Sequence, residues 1–142
     1  MTSRIYWDTM LFIYWIEDHP DYGGEIKRIL SRMQSRGDQL CSSAFGLGEV
    51  LVGARQRDDR HLAEAIRTTM RPPDVELLPF DGAAAERYAD IRARHRTKPA
   101  DSIHLACAAS SGVDLFVTND AGLARLDVPG IRFIAGLDTV VL

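Results

Sequence analysis

Short apolar runs alternate along this chain with longer stretches in which apolar residues recur every three or four positions. Residues 4–7 read as a strand that stops at Asp8-Thr9. An apolar helical segment follows to about Glu17, before a break at His19-Pro20-Asp21. Within residues 25–36, Ile26, Ile29, Leu30 and Met33 keep helical spacing, and Gly37 is the stop. A second strand is expected over 39–41, with Ser42-Ser43 offering caps for a helix to about Arg55. Asp58 or Asp59 caps another to about Met70. After the Arg71-Pro72-Pro73-Asp74 break come a strand over 75–80 and a helix from Asp81 to about Arg94. A further helix runs from Pro99 to about Ser110 and ends at Gly112. A strand over 114–118, a turn at Asn119-Asp120, a short helix over 121–126 and a strand over 131–134 complete the pattern.

Strands separated by helices predict βαβ units. The expected fold is therefore α/β: a three-layer α/β/α sandwich around a central, mostly parallel sheet of about five strands, with residues 1–142 as a single domain. In such sheets ligands bind beyond the carboxyl ends of the strands, where the strand order reverses. The acids near those ends become the first candidates for chemistry.

Asp8 follows the first strand and Asp120 the fourth, and each taken alone is an ordinary helix cap or turn residue. Glu49 sits in F-G-L-G-E-V-L-V-G-A, roughly opposite an apolar stripe of Leu47, Val50, Leu51 and Ala54. Either it faces solvent, or the helix is covered on both sides and Glu49 is buried. Gly48 and Gly53 are expected to let a neighbour approach that helix closely. Asp101 lies in the first turn of a helix that is apolar on several sides. Helix electrostatics accounts for an acid there, and so does a wall of a cleft. Two carboxylates about 5 Å apart at an effective dielectric near 20 repel by roughly 3 kcal/mol. Four converging acids therefore call for a divalent cation, and oxygen-only ligands favour Mg²⁺ or Mn²⁺. Such a site supports phosphoryl or phosphodiester displacement.

The whole chain resembles a PIN-domain ribonuclease of the VapC-toxin type. The likeness rests on I-Y-W-D-T, G-E-V-L-V-G-A, K-P-A-D-S-I-H-L-A-C-A and F-V-T-N-D, in that order. The resemblance implies metal-binding, catalytic acids at Asp8, Glu49, Asp101 and Asp120, with Thr9, Thr118 and Asn119 in support. It further implies Mg²⁺- or Mn²⁺-dependent RNA cleavage, homodimers and a cognate antitoxin. Met10 departs from the pattern, because relatives carry Asn or Ser there, and the final motif lacks a second acid behind Asp120. His104 is read as a locally hydrogen-bonded packing residue rather than a general base. Phe12, Tyr14 and Trp15 are read as core.

Composition narrows the field further. The net charge of −3 argues against a generic basic nucleic-acid binder. Arg92, Arg94, Arg96 and Lys98 nevertheless crowd one segment, which is either a solvated face or a guide for an RNA backbone. Cys41 and Cys107 are too few for a disulfide framework or a thiolate zinc site. The longest apolar run is too short for a bilayer, and no signal-peptide pattern follows it. A reduced, cytoplasmic protein without membrane partners is expected. Two other classes compete. A PIN fold that binds without catalysis is kept open by Met10. A phosphoacceptor receiver domain would use Asp8, Asp81 and Thr118, but it leaves Glu49 and Asp101 unexplained and lacks a lysine after the fifth strand.

Overall fold

The computed structural model describes residues 2–140 and 142. Its strands are β1 (Arg4–Trp7), β2 (Gln39–Ser43), β3 (Val75–Leu78), β4 (Leu115–Thr118) and β5 (Phe133–Gly136). The helices are α1 (Thr9–Ile16), α2 (Gly23–Arg36), α3 (Ala44–Gln56), α4 (Arg60–Thr69), α5 (Gly82–Arg94), α6 (Pro99–Ser111) and α7 (Ala121–Ala124). The sheet order is β3-β2-β1-β4-β5 and every pairing is parallel, so the expected sandwich is present. From β1 the chain builds outward through β2 and β3, then returns to add β4 and β5 on the other side. The order therefore reverses between β1 and β4.

Alternation along β1 sends its side chains to two cores. Ile5 and Trp7 join the apolar faces of α1, α2, α3 and α4, through residues such as Phe12, Ile29, Val50 and Ile66. Tyr6 points the other way, into a core built from Ile91 of α5, Leu105 to Ala109 of α6, and Phe116. Cys41 and Cys107 are both buried free thiols, and burial pushes their pKa values to about 12 and about 11. Such thiols carry little thiolate at neutral pH. Among the described residues, no helix is long and apolar enough to cross a membrane.

Local signals place most element ends. Asp8, Ser43, Asp59, Asp81 and Asp120 each accept a backbone N–H at the start of a helix. Gly37 and Gly112 close α2 and α6 in the left-handed conformation. The sheet edits the strand ends. β2 runs on to Ser43 because Ser42 and Ser43 pair with Leu77 and Leu78. β3 stops there too, leaving Phe80 outside the strand and exposed, edge-on to Tyr88. β5 starts later than expected because it takes its register from β4, Leu115 opposite Phe133.

Gly130 is the tightest backbone approach in the second core. Its φ is +99°, and a Cβ there would lie 2.5 Å from the Ala109 carbonyl oxygen at the end of α6. Both the conformation and the space demand glycine. Gly130→Ala is expected to lower unfolding stability by about 1–3 kcal/mol, read as a shift of the urea midpoint at unchanged slope.

Candidate active site

The carboxyl ends of β1 and β4 open into a cleft of about 470 Å³ at the point where the strand order reverses. Its lining is Asp8, Thr9, Met10, Tyr14, Glu49, Asp101, His104, Asn119 and Asp120. Four elements far apart in sequence supply the acids. Asp8 caps α1, Glu49 comes from the middle of α3, Asp101 from the first turn of α6, and Asp120 caps α7.

Among the described residues, each acid except Asp101 is anchored by a neighbour. Asp8 Oδ1 accepts from Thr9 N at 2.8 Å, and Oδ2 accepts from Thr118 Oγ1 at 2.9 Å. Thr118, fully buried, also accepts from Asp120 N at 3.0 Å, so one hydroxyl couples the two strand-end acids. Asp120 Oδ1 takes the amides of Gly122 and Leu123. Glu49 Oε1 accepts from Thr9 Oγ1 at 2.7 Å and from His104 Nε2 at 2.5 Å. Both bonds fall on one oxygen, which leaves Oε2 to the cleft.

His104 is almost fully buried, at 2% exposure. A carboxylate only accepts, so Nε2 carries the hydrogen that faces Glu49. Nδ1 shares a hydrogen bond of 2.6 Å with the Tyr6 hydroxyl, and that hydroxyl reaches Ser43 Oγ at 2.8 Å. Rather than bonding locally, the ring joins α6 to β1, α1 and α3. The second expectation to fall concerns the glycines of α3. Gly48 meets nothing within 4 Å and Gly53 only the Arg57 side chain, whereas a Cβ on Gly46 would lie 2.5 Å from Ser42 Oγ and 3.3 Å from the His104 ring. The residue that lets α3 close onto the imidazole is Gly46, and its signal in the sequence is its place one turn before Glu49.

Electrostatics separates the acids. Hydrogen bonds from His104, and secondarily Thr9, hold the Glu49 carboxyl below its ordinary range against a burial that would raise it. Asp101 moves the opposite way: burial and then the charges of Asp8 and Asp120 raise it, opposed by His104 and Lys98. Three carboxylates thus repel across a hollow whose lining residues include neither lysine nor arginine. Among the described residues, no three His, Cys, Asp or Glu side chains sit close enough together to form a metal cage. Mg²⁺ asks for less than that, since it binds one or two carboxylates and keeps several waters. An all-oxygen donor set under mutual repulsion fits such an ion.

The basic segment divides in three. Lys98 acts on Asp101, opposing the rise in its pKa. Arg92 lies 6.0 Å over the Tyr88 ring. Arg94 lines a separate hollow of about 140 Å³ with Arg87, Asp90 and His95. None of Arg92, Arg94, Arg96 and Lys98 lines the cleft itself. Met10 lines the cleft and is 44% exposed, an apolar group beside the acids.

The sequence profile of the PIN domain family matches residues 5–129. No curated protein matches the chain. Among solved structures it is similar to VapBC2 from Rickettsia felis bound to a promoter DNA fragment, at 16% identity and a TM-score of 0.76, over 94% of this chain and 98% of that one. A toxin–antitoxin complex from Klebsiella pneumoniae aligns at 24% identity and TM-score 0.67, covering 89% of this chain and 94% of the other. VapC20 from Mycobacterium tuberculosis, a toxin that cleaves the sarcin–ricin loop, aligns at 18% identity and TM-score 0.65, covering 79% and 86%. At these identities the likeness establishes a shared fold.

The raised Asp101 pKa fixes the sign of a stability test. Above both its folded and unfolded pKa values the ionised group penalises the folded state; below the ordinary aspartate value near 4 both states are protonated and the penalty vanishes. Asp101→Asn is therefore expected to raise the metal-free Tm at pH 7 by about 2–4 °C. Calorimetry should find that gain absent at strongly acid pH.

Proposed function

This chain belongs to the PIN domain family, and on that premise we propose that it is a divalent-metal-dependent endoribonuclease, the toxin of a toxin–antitoxin pair. The observation that carries the reading is the meeting of Asp8, Glu49, Asp101 and Asp120 in one cleft at the reversal of strand order, with Asp101 destabilised by two of the others. Helix electrostatics alone gives no reason for a carboxylate to face two more carboxylates. An antitoxin partner is supported by structural neighbours that include toxin–antitoxin complexes. By the same reading the protein works as a homodimer in the cytoplasm. Inhibition by the antitoxin would keep its nuclease silent.

A cation held by these acids would activate a water and neutralise the charge that builds on phosphate oxygens. The protein's own groups do the rest. Thr118 fixes the rotamer of Asp8 and the backbone of Asp120 together, so one hydroxyl positions both acids. Thr9 and His104 hold Glu49 ionised and fix its direction. Hydrolysis forms a bond from water oxygen to phosphorus as the bond to the leaving ribose oxygen breaks in line. His104 has both nitrogens engaged with Tyr6 and Glu49, which makes it a positioning residue for Glu49. Lys98 and Arg96 flank the start of α6 and guide the phosphate backbone, with Arg92 and Arg94 further back on α5.

Two measurements test the reading. Purified, antitoxin-free protein should cleave a mixed RNA pool only with Mg²⁺ or Mn²⁺, and Asp101→Asn should lose activity by on the order of 100-fold or more. Mg²⁺ should also raise the Tm of the wild type and leave Asp101→Asn unmoved. A folded wild type that neither cleaves nor responds to either ion would overturn the proposal. In the second experiment, Lys98→Ala should reduce the salt slope of RNA binding by about one while cleavage persists.

A further inference from the structure

Next to the acid cleft lies a second hollow of about 320 Å³, lined by Tyr22, Glu25, Asn119, Leu137 and Asp138. Asn119 belongs to both, since it also lines the cleft beside Tyr14. Tyr14 and Tyr22 stack with centroids 4.7 Å apart and planes 29° from parallel. His19 packs against both rings, at 4.9 Å and 5.2 Å. The cluster is pinned on two sides. His19 Nδ1 accepts the amides of Asp21 and Tyr22, and Asn119 Nδ2 donates to the Tyr14 hydroxyl.

The cluster is covered unevenly: Tyr14 is 7% exposed while Tyr22 remains 37% exposed. The chemistry of the hollow also says which part of a nucleic acid it suits. It contains no cation, so it is no phosphate site. Glu25 is engaged by Arg28 at 2.6 Å, and the Asn119 amide nitrogen is engaged by Tyr14. What remains is the exposed part of Tyr22, with two acceptor-bearing side chains, Asn119 and Asp138, lining the same hollow. Those groups complement the face and the amine-bearing edge of an unpaired base.

We propose that Tyr22, backed by Tyr14 and His19, is a stacking platform for an unpaired base of the RNA substrate beside the scissile phosphate, with Asn119 and Asp138 accepting from the exocyclic amine of adenine, cytosine or guanine. The proposal rests on the ribonuclease reading and adds the recognition element that the acid cleft lacks. Acids and a cation treat all phosphodiesters alike, whereas a platform next to them selects sites where a base is already unstacked.

The test uses single-stranded oligoribonucleotides carrying 2-aminopurine at successive positions, bound to the full chain in the Asp101→Asn background. One position should lose fluorescence on binding, through stacking. Adding Tyr22→Leu should abolish that loss and weaken binding roughly 5- to 150-fold, whereas Tyr22→Phe and Tyr22→Trp should keep both. Circular dichroism of the leucine variant checks that the fold persists. If wild-type protein cleaves RNA but Tyr22→Leu keeps the affinity and the quenching, the platform is wrong and the nuclease stands. Absence of both binding and cleavage in wild type would overturn the two together. Tyr22→Leu that binds RNA normally yet no longer binds a co-purified protein would make this a protein-docking surface and overturn the proposal.

Discussion

A buried imidazole with both nitrogens bonded has lost its freedom to turn, and in this chain that ring is His104. Tyr6 holds one side and Glu49 with Thr9 the other, so a strand, two helices and the ring's own helix share one hydrogen-bonded node. Burial is what gives the node its weight. An unpaired polar group in such a place costs about 1–3 kcal/mol, so each partner is held to its position by the others. Gly46 makes the arrangement possible by letting α3 lie against the serine and the imidazole without a side chain between them. The direction of Glu49 into the cleft follows from this node, and with it the shape of the acid wall.

Opposite Glu49 the balance is reversed. Asp8 and Asp120 are tied by hydrogen bonds from threonine and backbone donors, which fix their side chains in place. Asp101 has no such anchor among the described residues and carries the repulsion of both. The site therefore combines carboxylates fixed in place with one that is strained electrostatically, an arrangement disfavoured in the bare protein and relieved by added positive charge. The parallel sheet makes this possible, because all its strands end on the same side and its order reverses between β1 and β4.

The cations of the segment that is basic in sequence have different neighbours. Lys98 acts on Asp101, Arg92 lies on a tyrosine, and Arg94 lines another hollow. At the part of the cleft lined by Tyr14 and Asn119, the rings of Tyr14, His19 and Tyr22 pack together.

Much of this was legible in the chain itself. The alternation of strands and helices, the caps at Ser43, Asp59, Asp81 and Asp120, and the stops at Gly37 and Gly112 are local matters, settled by period and by the backbone needs of helix ends. The four acids were also legible, since strand ends in a parallel sheet face one side and a carboxylate on an otherwise apolar helix asks for a reason. The limits of β2 and β5 were not, because register is set by a partner strand. Nor were the span of His104, the close approach at Gly46 or the Tyr14–His19–Tyr22 stack beside Asn119. A sequence pattern states which face of an element a residue occupies. What that residue touches depends on elements tens of residues away, such as the 55 positions between His104 and Glu49 or the 105 between Asn119 and Tyr14, and only tertiary packing brings those together.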